Sequence, residues 1–230
     1  MFIGHFGVAL AAKRLAPKTS LGTLIFAADF LDLLWPVLLL LGAEHVRIAP
    51  QIMRMATLDF VDYPISHSLI MALLWSVLIG ACYYAGRRYA PGAWVVGAAV
   101  FSHWVLDFVV HRPDLPLWLH GDIRMGLGLW TSATGTVLAE VFCFGVGLWI
   151  YTNLTQPVDK TGVYAFWSLM LFMLLGWISS IFAGAPPNTT SIAWGAMLLW
   201  LLIPWAWWAD QHRQLLKSPY GAVFIFSFTL

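Results

Sequence analysis

The chain reads as an all-α, polytopic membrane helix bundle, with about six transmembrane helices plus a short N-terminal half-inserted helix. Three observations predict this. Of the 230 residues, 60% are hydrophobic and only 10% are charged, whereas soluble domains carry roughly 25% charged residues. Several apolar runs reach the ~20 residues that cross a bilayer as a helix. Where ionisable residues enter those runs, they keep helical spacing: His103, Asp107 and His111 recur every four positions, which lines them on one stripe.

Taken in order, residues 2–16 form a first apolar segment, too short to span, with His5 near its start and Lys13, Arg14 and Lys18 at its end. Because these positive charges follow the apolar run, a cleavable signal peptide is not expected. The second segment, 20–42, spans and carries Asp29 and Asp32, three apart on one face. Pro36 should kink it and free the Asp32 carbonyl, four residues back. Residues 43–63 are the longest polar stretch, with Glu44, His45, Arg47, Arg54, Asp59 and Asp62.

Pro64 opens a third span at 64–86, with His67 and Ser68 in its first turn. A helix N-terminus disfavours imidazolium and so keeps His67 able to ligate. The fourth span, 91–111, carries the founding stripe and leads into a loop holding Arg112, Asp114, His120, Asp122 and Arg124. The fifth, 126–152, begins with small residues that permit close helix contact in lipid and carries Glu140 deeper. Spans at 162–184 and 190–209 hold no ionisable side chain and read as scaffold. Trp205, Trp207 and Trp208 suit an interfacial belt. The chain is thus expected to divide into a metal-site domain (1–152), a two-helix membrane scaffold (153–217) and an apolar interfacial tail (218–230).

A net charge of +1 gives no electrostatic case for nucleic acid. Cys82 and Cys143 stand far apart without a CxxC pattern and do not indicate a redox compartment. Eight Lys and Arg gather on one side of the spans and four on the other, which favours the first side as cytoplasmic. Ser68 beside His67 lacks any nucleophile-elbow context.

The informative set is His5, Asp29, Asp32, His67, His103, Asp107, His111 and Glu140. Four intramembrane carboxylates left unpaired would cost on the order of 10 kcal/mol together. The span interiors hold no Lys or Arg to pair with them, so a divalent cation is the simplest partner. His103 and His111 lie ~12 Å apart along a helix axis and do not share one ion. Either chelates with Asp107 through an i, i+4 pair, and ions bridged by Asp107 would use all three. The metal ligands expected are His5, Asp29, His67, His103, Asp107 and His111, around zinc or a similar ion. Asp29, Asp32 and Glu140 are candidates for the base that activates or positions water. The plainer alternatives are a histidine bonded to a neighbouring helix, a proton relay through Glu140, and Arg112 snorkelling to the interface instead of gripping a phosphate.

At Gly4-His5, Asp29-Phe-Leu-Asp32, Pro64-Ile-Ser-His67-Ser68, Ser102-His103-Trp-Val-Leu-Asp107 and the Gly126–Trp130 run that leads to Glu140, the chain resembles the bacterial family of inner-membrane, metal-dependent hydrolases. The likeness covers residues 1–150. A more distant similarity is to the helical zinc-dependent phospholipase C and single-strand nuclease superfamily. There an early His, a lone Asp, a single His and an HxxxD helix surround a zinc cluster, which would correspond to His5, Asp29, His67, His103, Asp107 and His111. Those proteins are typically soluble, and only Glu140 stands here for their second HxxxD/E pair. The resemblance implies a bacterial inner-membrane hydrolase of a phosphoester, and a site at membrane depth, open to lipid between spans two to five, makes a phospholipid a more natural substrate than a soluble phosphate. The alternative is a non-catalytic membrane subunit that holds a structural ion or a proton network and docks on a larger complex through its Trp-rich last helices.

Overall fold

The computed structural model describes residues 1–50 and 52–216. The apolar tail expected at 218–230 lies outside the described residues. The fold is all-α. Among the described residues, five helices are long and apolar enough to cross a membrane, and a bent pair makes a sixth candidate span. The described outer surface is oily to match: Val77, Trp94, Phe142, Trp149, Tyr164 and Phe182 are each more than two-thirds exposed, as suits side chains facing lipid.

The short first helix, α1 (Ile3–Ala12), sits at the centre of the bundle, with Ile3, Phe6, Ala9 and Leu10 in the core. It packs lengthwise on α7 (Ala133–Leu154). The contact is backbone on backbone: a side chain on Gly7 would run into the Cys143 carbonyl, and one on Gly147 would run into Gly7. Small residues at such a seam are how helices associate where burial from water supplies no drive. No residue of its own caps α1. The Glu140 carboxylate of α7 does so, accepting the N–H of Phe2 at 2.7 Å and of Gly4 at 2.8 Å.

The second candidate span is α2 (Leu21–Ala28) followed by α3 (Phe30–Leu40), bent by 58°. Pro36, where a kink is expected, lies inside α3 without ending the helix. The 58° break falls at Asp29, whose backbone leaves the helical region at φ −103°, ψ 9°. Pro36 lies in the second turn of α3, where few preceding turns remain to be disturbed.

The polar stretch after α3 is not a plain loop. Strands β1 (His45–Ile48) and β2 (Leu58–Asp62) form an antiparallel hairpin over the end of the bundle, with Val46 opposite Phe60. One turn of helix, α4 (Pro64–His67), follows, and α5 (Leu69–Arg87) starts afresh from Ser68, which accepts the Met71 N–H at 3.3 Å. His67 therefore closes a separate turn instead of sitting in the first turn of the span.

Helix α6 (Ala90–Val110) lies against α5, with Gly80 and Gly97 at their crossing. Two-residue strands β3 (Leu115–Pro116) and β4 (Arg124–Met125) tie the next loop together. Helix α7 begins at Ala133, later than the expected 126, because Gly128 at φ 74° and a single tight turn at Leu129–Thr131 come first. Helix α8 (Lys160–Phe182) is capped by Asp159, and α9 (Thr189–Met197) continues through a tighter turn into α10 (Leu202–Gln211) as one span. Strands β5 (Thr155–Pro157) and β6 (Arg213–Leu215) pair beside the α7–α8 turn.

Helix α9 packs on α3 and α10 on α2 and α8. The buried ion pair Lys13–Asp210, at 2.7 Å, fixes the end of α1 to α10. Asp210 also accepts the Tyr151 hydroxyl and the Leu21 N–H, which satisfies the start of α2.

Candidate metal centre

The break at Asp29, the turn of α4 and the buried face of α6 meet against the start of α1. This brings His5, Asp32, His67, His103 and Asp107 together. Two groups of three ligand atoms each lie within 4.8 Å of one another: His5, His103 and Asp107, and Asp32, His67 and His103. All five are buried except Asp32, whose side chain is 33% exposed. Asp107 is the hub. Its Oδ1 lies 3.2 Å from His5 Nε2, and its Oδ2 lies 3.2 Å from His103 Nε2 and 3.6 Å from His67 Nε2. Asp32 Oδ1 lies 3.4 Å from His67 Nε2 and 3.7 Å from His103 Nε2. The Met1 backbone nitrogen also reaches Asp107 Oδ1.

The outer hydrogen bonds define which ring nitrogen carries the proton. His103 Nδ1 lies 2.8 Å from the Ala28 carbonyl. A carbonyl only accepts, so Nδ1 is the donor. That carbonyl is open because the helix breaks one residue later. His67 Nδ1 lies 2.7 Å from Ser66 Oγ, whose own proton goes to Glu44 Oε2 at 2.6 Å. His111 Nδ1 donates to Asp114 Oδ1 at 2.9 Å. In a neutral ring each leaves Nε2 as a bare lone pair, and His103 Nε2 is buried with no hydrogen-bond partner. Lone pairs aimed at carboxylates repel unless a cation lies between them. Imidazoles oriented through the far nitrogen by carboxylate, carbonyl or hydroxyl are the usual surroundings of a metal site. On these grounds the residues fit a divalent ion. His5 departs from the pattern, for its Nδ1 is buried without a partner.

The remaining expected site residues fall nearby but outside both ligand groups. Asp29 occupies the helix break, with Oδ2 buried and unpartnered. His111 follows the end of α6 and is held among Phe60, Tyr63 and Trp130. Glu140 spends both oxygens on the α1 backbone. Arg112, proposed as a phosphate grip, is engaged by Asp59 and Asp114.

Sequence reasoning passed over Glu44, Ser66, Tyr63 and Asp114. Asp114 was within reach, three residues after His111 and one loop turn away. Glu44 was not, for it lies 22 residues from Ser66 with no periodicity to link them. Outside the spans, burial pushes the Glu44 carboxyl up, against the pull of the Ser66 donors. Burial, then the nearby Asp114 carboxylate, pushes the Tyr63 phenol well above its ordinary range.

A cavity of about 280 Å³ adjoins the cluster. Its lining includes the polar Asp32, His67, Asp107, His111 and Glu140 and the aromatic Trp35, Phe60, Trp130 and Trp177. No known protein family, curated protein or solved structure matches the chain.

Proposed function

We propose that this is a membrane-embedded, metal-dependent hydrolase of a phosphoester borne by a membrane lipid, working in a bacterial inner membrane as the sequence resemblance implies. The observation that carries the reading is the convergence of bare histidine Nε2 atoms on Asp32 and Asp107. His5, His67, His103 and Asp107 would hold the ion, with Asp32 at its open side. A zinc-like ion bound there supplies Lewis acidity and lowers the pKa of water toward ~7. Asp107 keeps the rings gathered. Of the carboxylates considered as base, Asp32 and Glu140 both line the cavity, but Glu140 is buried with both oxygens committed to α1, so the partly exposed Asp32 takes the proton of an attacking water. Glu140 holds α1, and with it His5, in register. Asp29 sets the helix break that frees the Ala28 carbonyl.

The cavity supports a lipid substrate in a specific way. Its volume lies just below the roughly 300–1,000 Å³ of sites that enclose a whole small ligand. It suits a phosphate headgroup whose chains stay outside. Phe2 and Trp177 are among the apolar side chains that line the cavity.

The test is metal analysis of detergent-purified protein, together with headgroup release from phospholipid vesicles, using Asp107→Ala as the control. Bound metal with turnover that the substitution abolishes supports the hydrolase. Bound metal without turnover makes the chain a non-catalytic subunit with a structural ion. Folded protein that binds no metal overturns the proposal.

A further inference from the structure

Glu44 lies outside every span, in the link between α3 and β1, yet it is buried at 1% exposure. A carboxylate there needs donors, and it takes both from one residue: the Ser66 N–H at 2.7 Å and the Ser66 hydroxyl at 2.6 Å. The serine has one hydroxyl proton to give. The Tyr63 carbonyl, the competing acceptor, is 3.5 Å away, so that proton goes to Glu44. Ser66 Oγ is then left with lone pairs alone toward His67, and the 2.7 Å contact with Nδ1 requires the imidazole to donate. The direction of each bond follows from the one before it, starting at Glu44.

We propose that Glu44 is a positioning residue for the metal centre, acting through the Ser66 hydroxyl to lock His67 in the tautomer that presents a bare Nε2 to the ion. This inference rests on the metal-centre reading above. The chain Glu44–Ser66–His67 performs for this ligand what the Ala28 carbonyl does for His103, but from the polar hairpin side of the molecule. It couples the hairpin to the ligand set without touching the ion.

The substitution Glu44→Gln tests it, because glutamine keeps the size and reverses the polarity of one arm. Its oxygen still accepts from the Ser66 N–H. Its NH2 faces the hydroxyl and turns the Ser66 proton toward His67. The ring then carries its proton on Nε2 and loses the ligating lone pair. Zinc affinity, measured by competition with a chromogenic chelator, should fall about 10–100-fold, the usual cost of an outer ligand partner. Ser66→Ala should fall by a similar factor. The double variant should bind no worse than Ser66→Ala, since Glu44 has no other route to the ion. In metal-free protein, the nitrogen resonances of His67 should move from the Nδ1–H to the Nε2–H pattern in Glu44→Gln. Wild-type affinity in Glu44→Gln, or losses that add in the double variant, would overturn the inference while leaving the metal centre standing. If wild-type protein takes up no zinc, the metal-centre reading fails. The His67 resonances then decide separately whether Glu44 sets the ring, and an unchanged tautomer overturns that too.

Discussion

His5 and His103 stack face to face, their ring centroids 3.7 Å apart and their planes within 3° of parallel. One comes from α1 and the other from α6, and both turn Nε2 toward Asp107. Two stacked imidazoles in a dry interior cannot both be cationic without strong repulsion. The arrangement suits neutral rings sharing one acidic neighbour.

Removing that neighbour should therefore undo the centre. Asp107→Ala is expected to reduce zinc affinity by more than the ~10–100-fold cost of losing an outer partner, and His103→Ala likewise. His120, exposed on its loop, provides the control, since His120→Ala should bind zinc like the wild type. Chelator competition on purified protein checks all three.

The α1–α7 seam predicts a sharp contrast between two glycines on one helix. Gly147 meets the Gly7 backbone, whereas nothing lies within 4 Å of Gly145. Gly147→Leu has no side-chain neighbour to push aside, so it should cost more than about 4 kcal/mol, in the range of severe packing defects. Gly145→Ala should stabilise by about 0.5–1 kcal/mol through helix propensity. Unfolding in mixed detergent micelles distinguishes them. If Gly147→Leu folds normally, the helices are not in backbone contact.

The buried Lys13–Asp210 pair should behave unlike a surface salt bridge. Breaking it from one side leaves an uncompensated buried charge. Lys13→Ala is expected to cost roughly 3–5 kcal/mol in the same unfolding assay. Exchanging the exposed Lys18 for alanine should cost well under ~1 kcal/mol.

At the start of α8, Asp159 accepts His212 Nδ1–H at 2.7 Å and the Gly162 N–H at 2.8 Å. The His212 contact, then the Gly162 bond, lower its pKa from the ordinary 3.8. A carboxyl whose pKa falls on folding stabilises the fold above the unfolded value, and that contribution disappears as pH drops through the folded value. Asp159→Asn should lower the melting temperature at pH 6, and the difference should shrink as pH falls from the ordinary 3.8 through the lowered folded value. A difference that stays constant through that acid range would show that its charge plays no part.

The fold class was legible because lipid imposes length and apolarity on each span, and the His103–Asp107 pairing because both residues share one helix. What local pattern hides are contacts made across the bundle. Pro36 carries the strongest helix-breaking signal in the second segment, but the chain bends at Asp29, where α6 presents His103 to the freed carbonyl. Glu140 reads from sequence as a candidate base or a proton relay, and it caps α1, a role that depends on the Gly7–Gly147 contact placing the two helices together. The hairpin strands showed in the sequence only as part of a polar stretch, because the alternation of His45–Ile48 lasts four residues and Leu58 through Val61 are all half-buried.

The interruption at Asp29 also places two helix ends inside the apolar layer. The last carbonyls of α2 carry roughly half a negative charge, and the first amides of α3 roughly half a positive one. The first faces the His103 N–H, while Asp32 stands in the opening turn of the second. In an unbroken span these fractional charges would sit at the two watery surfaces, where solvent and salt mute them. Here they reinforce both a ring donor and a carboxylate from within a single segment, so any change at position 29 that mended the helix would weaken both at once.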